Sequence, residues 1–382
     1  MMLRCRKILA SLAVVFTVIL FAVSCDKDID FGFKDLCFYH PHTAPVKVKI
    51  DWSHFRHLEK PTGMSVYLWS RYNENKNKTF LTHDLNSLNL NLEKGLYDAF
   101  VYNQSEDEYA TIEFHNLNDF DKAEARAIQV KSNWLNTKLP NTKVGAEPEW
   151  LAIDCVRDID VTEEMVARAE AEYLATLPEA NKQMQQQKST REATKTENEV
   201  GPLVPKSIIK NVDIYVHLEN LIYLRSALGA IGDMAEGCYI ATRQPTERRI
   251  THTMGTWGVV YGQTSSGAIN MMKGAIKVSL STFGLPAGHT GNPDDNNLYI
   301  RLLLVDNATI LEKNFPIGDL LAGLNEYDGS LLDEDGVPIW PEVHVYWPEP
   351  LPEVEAVGAG SGGFDVNVDD WGEEITTILP LM

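Results

Sequence analysis

The side chains able to act as nucleophiles, metal ligands or general acids fall into a few small groups along this 382-residue chain. Ser265 and Ser266 lie in Gly-Gln-Thr-Ser-Ser-Gly (262–267), which lacks the G-x-S-x-G spacing of a nucleophile elbow, so they read as loop residues. His54 and His57 stand three apart and could offer two nitrogens from one helical turn. No Cys, His or carboxylate at zinc spacing completes a tetrahedral set, and a surface pair is the plainer reading. The same holds for His40 and His42, which Pro41 keeps extended. Asp333-Glu334-Asp335-Gly336 and Asn292-Pro293-Asp294-Asp295-Asn296-Asn297 gather the hard oxygens that calcium takes, but without the later bidentate Glu, and both read as turns. Asp369-Asp370 and Glu373-Glu374 have only the composition of a hydrolase dyad. That chemistry needs one acid desolvated until its pKa rises, whereas contiguous acids are ordinarily solvated. H-E-x-x-H and the phosphate loop G-x-x-x-x-G-K-[ST] are absent. The chain is therefore read as a non-enzyme, with no catalytic, metal or cofactor-binding residue assigned. Its eight tryptophans (Trp52, Trp69, Trp134, Trp150, Trp257, Trp340, Trp347 and Trp371) could stack on sugars, although such large apolar surfaces mostly pack. Glycan binding is the alternative they leave open.

One cysteine stands apart. Arg4, Arg6 and Lys7 are followed by sixteen uncharged residues, Ile8 to Val23, and then by Ser24 and Cys25. A positive head, a short apolar run and a small-residue exit describe a secretory signal. Acidic residues from Asp26 onward leave the run short of the roughly 20 residues a membrane span requires. Val23-Ser24-Cys25 resembles a bacterial lipobox, in which the thiol takes a diacylglycerol and the preceding peptide is removed; Ala22 stands where Leu is usual. A signal cut elsewhere, or a short anchor with a coincidental cysteine, are the competing readings. The end of the apolar run within two residues of Cys25 favours lipidation. Each buried CH₂ of an acyl chain contributes about 0.8 kcal/mol, so two or three chains would hold the protein at a membrane. Asp26-Lys27-Asp28-Ile29-Asp30 reads as a charged tether. It resembles the Lys- and acid-rich signal that sends Bacteroidota lipoproteins to the cell surface, with a plain solvated spacer as the other reading.

Removal of residues 1–24 leaves 358 residues, a length that suits two domains. The removed part holds three of the 34 basic residues and none of the 54 acids, so the remainder carries a net charge of −23. No Lys or Arg block relieves it, and nucleic acid is excluded as a partner. Cys37, Cys155 and Cys238 remain, without a C-x-x-C pair. They permit at most one disulfide and read as packing thiols.

The elements that must position anything functional are short strands. Val46–Ile50, Met64–Trp69, Leu88–Leu92, Leu96–Asn103, Ala110–His115, Ala125–Val130 and Trp150–Val156 alternate or run apolar between turn residues. Asp160, set before Val161, Met165, Ala169, Tyr173 and Leu177, predicts a capped helix ending at Pro178. Residues 179–199 have almost nothing to bury and read as a flexible polar linker. Strand signals resume at 212–224 and continue through 237–242, 256–262, 274–285, 296–307, 342–347 and 362–379, with 310–321 reading as a strand that runs into a short helix. The expected organisation is a signal peptide (1–24), a tether (25–44), an N-terminal β-sandwich (45–159), a helix and linker (160–204) and a C-terminal β-sandwich (205–382). The fold class is mainly β, with antiparallel sheets.

Beyond the lipobox, Lys34–Trp52 (KDLCFYHPHTAPVKVKIDW), Pro61–Trp69 (PTGMSVYLW), Leu92–Glu108 and the closing Gly362–Glu374 (GGFDVNVDDWGEE) resemble uncharacterised Bacteroidota lipoproteins. That group is related to the fimbrillins and fimbrium-anchoring subunits of type V pili. The resemblance implies transthyretin-like or immunoglobulin-like sandwiches and no catalytic residues. It also implies an outer-membrane lipoprotein attached through Cys25, facing the cell surface or the periplasm, with fimbrial subunits as partners by strand addition. It places neither a donor strand nor an acceptor groove.

Overall fold

In the computed structural model, Leu90 and Leu92 turn inward from their strand while Asn89 and Asn91 stay exposed, as the alternation requires. The structure describes residues 42–54, 61–176, 198–327, 334 and 339–357. The first half contains β1 (Thr43–Ile50), β2 (Met64–Ser70), β3 (Lys78–Thr82), β4 (Ser87–Glu93) and β5 (Gly95–Asn103). It continues with β6 (Ile112–His115), β7 (Glu124–Ala127), helix α1 (Asn133–Lys138), β8 (Val144–Gly145), β9 (Ala152–Val161) and helix α2 (Glu163–Thr176). The second half opens with β10 (Asn198–Leu203), β11 (Lys206–Ser207), β12 (Lys210–Glu219), β13 (Leu224–Ala235), β14 (Gly237–Tyr239) and β15 (Arg249–Thr253). It closes with β16 (Gly258–Gln263), β17 (Ile269–Thr282), β18 (Asn297–Leu304), β19 (Ile310–Pro316) and β20 (Glu342–Tyr346). The fold is mainly β. No described helix is long and apolar enough to cross a membrane.

Two compact units divide the chain. Of the described residues, the smaller takes 42–46, 90–95, 160–176 and 198. Its helix α2 starts later than the sequence suggests: Asp160 still belongs to β9, and Thr162 Oγ1 accepts from Met165 N at 3.3 Å. Met165 and Ala169 are half-buried and Tyr173 is exposed, while Lys94 pairs with Glu163 at 2.7 Å. The expected stop at Pro178 lies outside the described residues.

Of the described residues, the larger unit takes 47–54, 61–89, 96–159, 199–327, 334 and 339–357. Sheet β16-β17-β12-β20 and sheet β19-β18-β13-β15-β8 enclose one core. Within these two sheets β12–β20 and β15–β8 run parallel and the other pairs antiparallel. The register sets Val278, Ile214 and Val343 in one row and Ile276, Val216 and Val345 in the next, all buried. Leu298, Ile300, Leu302 and Leu304 of β18 face the same core. Strand β13 was not legible as a strand, because Ala, Gly and Ser dominate it. Those small residues are needed: a Cβ on Gly229 would stand 2.5 Å from the Trp257 ring.

A second core joins the aromatics Trp69, Phe100, Tyr102 and Phe120 to Ile208, Ile209, Ala235, Cys238, Ile250 and Phe283 from later in the chain. Beside it, β14 pairs with β7. Two buried carboxylates, Glu124 and Glu236, are held there by cations. Arg248 donates Nε to Glu236 at 2.8 Å and its terminal nitrogen to Glu124. Lys143 reaches Glu236 at 2.9 Å, and Arg126 also binds Glu124. Burial alone would raise both carboxyl pKa values, but the cations outweigh it and hold both below the ordinary value.

Candidate functional site

The sequence-derived candidates separate into those that fall outside the described residues and those that turn out to be structural. Cys25 and Cys37 lie outside, as do His40, His57, Trp371 and the acid pairs at 369–370 and 373–374. Cys155 and Cys238 are free thiols. Burial pushes Cys238 up to about 12, and burial with the Asp154 charge raises Cys155, so neither is a poised nucleophile. Asp295 spends its carboxylate on the turn, accepting from Thr290 N and Oγ1 and from Asn292 N. Thr264 and Ser266 bond to each other in the β16–β17 turn, where Gly267 adopts a positive φ. Among the described residues no group of three His, Cys, Asp or Glu could hold a metal ion.

None of the seven described tryptophans is exposed. Trp69 is buried and donates to Leu117 O at 2.6 Å, and Trp134 donates to Glu312 at 3.0 Å. The aromatic surface that does face out is one that alternation on β12 and β20 creates. Tyr215 stacks on His344 at 4.7 Å, and His217 stacks on Tyr346 at 4.5 Å, with His217 Nε2 2.9 Å from His344 Nδ1. Burial and the neighbouring His344 lower the His217 pKa. These rings spend most of their faces on one another, and Lys277 covers Tyr215 from 5.0 Å. Tyr346 keeps an open face.

The strongest candidate lies at the end of the β16–β17 hairpin. β16 is an edge strand, bonded on one side only, to β17. Such an edge offers unpaired backbone N–H and C=O groups to any extended chain. Native edges are usually blunted by charge or proline, but Val259, Val260 and Tyr261 are apolar and each almost half exposed. Ile269, Met271 and Met272 add exposed apolar surface on β17. The register jumps from Tyr261↔Gly274 to Gly262↔Asn270, so residues 271–273 bulge from the ladder. Gly274 makes the close approach possible, since a Cβ there would stand 2.4 Å from Val260 O.

Beneath this hairpin the two sheets part around a groove of 210 Å³. Val259, Tyr261 and Met271 line one side, and Arg225, Ser226 and Trp257 the other. Ser226 Oγ and Trp257 Nε1 are buried there, with no hydrogen-bond partner among the described residues. An unpaired buried donor costs about 1–3 kcal/mol. Arg225 is the one charged residue in the lining and bonds to Asn307 Oδ1. Sequence reading found the two strands but not the groove. The signal was a hairpin apolar on both faces, which no sheet with one wet face needs.

Fold and groove together define the class: a mainly β protein with an open, apolar sheet edge beside a lined groove. Residues 31–255, more than half of the chain, match the family described as a domain of unknown function, DUF5119, and the chain belongs to that family. Among solved structures it is similar to a candidate adhesin from Bacteroides ovatus, at 14% identity over 82% of this chain and 94% of that one, with a TM-score of 0.46. A candidate adhesin from Bacteroides thetaiotaomicron shows 13% identity over 80% of this chain and 91% of that one, with a TM-score of 0.43. The fimbrial anchor protein Mfa2 from Porphyromonas gingivalis shows 11% identity over 80% and 90%, with a TM-score of 0.42. No curated protein sequence matches the chain.

Proposed function

We propose that this protein is a non-enzymatic outer-membrane lipoprotein of the cell surface, fastened through Cys25, that serves attachment or fimbrial assembly by accepting an extended strand. The observation that carries the reading is the exposed edge of β16 above its groove. Backbone hydrogen bonds along a free edge supply affinity, and alternate side chains entering a groove supply register. The N-terminal signal, the lipobox-like Val-Ser-Cys and the acidic tether support the location. A photo-crosslinking residue at Val260 in living cells, with the linked peptide sequenced, tests the reading. Crosslinks to an extended segment of a pilin-type subunit are expected. Crosslinks confined to polysaccharide-uptake proteins would overturn it.

Glycan binding is the alternative, and the open face of Tyr346 is the feature that favours it. A glycan array on which the native protein gives signals that Tyr346→Ala abolishes would establish it. Signals that survive the substitution, or none at all, would remove it.

A further inference from the structure

We infer that this chain associates with copies of itself in a head-to-tail row, the β16 edge of one molecule pairing with the β20 edge of the next. The inference goes beyond the strand-accepting reading and shares with it only the open edge of β16.

The sheet β16-β17-β12-β20 ends in two different edges, since among the described residues β16 bonds to β17 alone and β20 to β12 alone. β16 runs antiparallel to β17, β17 antiparallel to β12, and β12 parallel to β20. The two edge strands therefore point the same way. A second molecule shifted along the sheet sets its β20 parallel to β16, with both apolar cores on one face. No strand has to be turned over. Because the contact joins two different surfaces, it leaves a free edge at each end of the row.

The backbone of β20 is ready for this pairing. Asp213 N bonds to Pro341 O at 2.9 Å and Trp347 N to His217 O at 3.0 Å. In such a parallel ladder Val343 and Val345 also bond to β12, so Glu342, His344 and Tyr346 turn their N–H and C=O groups to the free edge.

Side chains fit in one register. Val259 pairs with the buried Ile276, which places Val259 and Tyr261 on the core face and Gly258, Val260 and Gly262 on the outer one. β20 likewise turns Val343 and Val345 inward and Glu342, His344 and Tyr346 outward. Gly258 beside Glu342, Val260 beside His344 and Gly262 beside Tyr346 set small residues against large ones outside and apolar against apolar inside. Two β16 edges paired about Val260 would instead set Gly258 opposite Gly262 and leave the outer seam unfilled.

Charge agrees. The chain holds 54 acids, yet residues 248–293, which include β16 and β17, hold four bases and no acid. Lys273 and Lys277 pair with Glu219 and Asp213, while Arg225 in the groove lining bonds to the neutral Asn307 and leaves this edge positive. Residues 339–357, which include β20, hold four acids (Glu342, Glu349, Glu353 and Glu355) and no base. Opposite signs favour the β16–β20 contact, and two β20 edges would set four acids against four. Strands this short make a contact of the small, weak class, below about 1,200 Å² in total.

Sedimentation velocity of the full mature chain with Cys25→Ser, from about 1 to 100 μM, tests the inference. Native chains should form species that grow beyond the dimer with concentration. Val260→Glu sets an acid on the β16 edge against the acids of β20. His344→Pro removes an outward donor from β20 and keeps its bonds to β12. Each variant alone should associate about tenfold or more weakly. Mixed in equal amounts they should form a dimer and nothing larger, because each supplies the edge the other lacks. Native chains that stay monomeric, or a mixture that does, would overturn the inference. Association that Val260→Glu abolishes and His344→Pro spares would overturn it too, in favour of a two-fold β16 pair. The crosslink from Val260 in cells keeps the two claims apart. Monomers in solution together with pilin-type crosslinks remove self-association alone, and self-association without those crosslinks removes the strand-accepting reading alone.

Discussion

Acidification from pH 7 to pH 5 should destabilise this protein chiefly through His252 of β15. The ring is fully buried, and its Nδ1 lies 2.9 Å from Ala146 O, so Nδ1 carries the proton and donates. Burial disfavours the imidazolium and lowers its pKa to about 4, against the modest opposing effect of backbone hydrogen bonds. The unfolded chain titrates near the ordinary value of about 6.5. Between those two values the unfolded state binds a proton that the folded state refuses, so stability falls as pH drops through this window. At 1.36 kcal/mol per pKa unit, moving from pH 7 to pH 5 costs about 2 kcal/mol. Urea unfolding of the mature chain at both pH values measures it, with His252→Asn as the control. His217, also lowered, contributes in both proteins, so the difference between them isolates His252. The wild type should lose about 2 kcal/mol more than the variant. Equal losses would refute the reasoning.

Other consequences follow from the same structure. Arg248→Ala removes a shared cation from Glu124 and Glu236. Each carboxylate keeps one cationic partner, Arg126 or Lys143, and Arg248 is itself one-third exposed, so the cost should be about 2–3 kcal/mol, below that of a fully broken buried pair. Because both folded carboxyl pKa values lie below the ordinary one, their stabilisation is present above about pH 4.5 and lost as pH falls through the folded values. The variant should begin losing it at higher pH, as read from urea midpoints across pH 3–6. Gly274→Ala forces a Cβ against Val260 O, at 2.4 Å, and Leu221. A cost of about 1–3 kcal/mol and faster exchange in β16 are expected, and an unchanged urea midpoint would contradict the close approach.

Strand pattern carried much of the architecture into the sequence, and its failures have physical causes. Leu88-Asn89-Leu90-Asn91-Leu92 and Val343-His344-Val345-Tyr346 alternate because each has one dry and one wet face. β13 is buried along its second half yet built of Ala, Gly and Met, since neighbouring rings occupy the space its side chains would fill. β15, Arg249-Ile250-Thr251-His252-Thr253, looks polar although His252 and Thr251 are buried. Their environment comes from β8 and β13, segments far away in the sequence. The groove was invisible for a similar reason. Ser226, Trp257 and Met271 gain meaning only when register shifts on β17 and β13 bring them to one mouth. The helix start was misplaced by two residues because Thr162 competed successfully with Asp160 for the cap.

Anchoring through Cys25 is the central proposal. Mass spectrometry of the N-terminal peptide isolated from the native membrane addresses that directly. A mature chain beginning at Cys25 with a diacylglyceryl thioether is the result expected. A chain retaining residues 1–24 with a free thiol at Cys25, or one cut elsewhere, would contradict it.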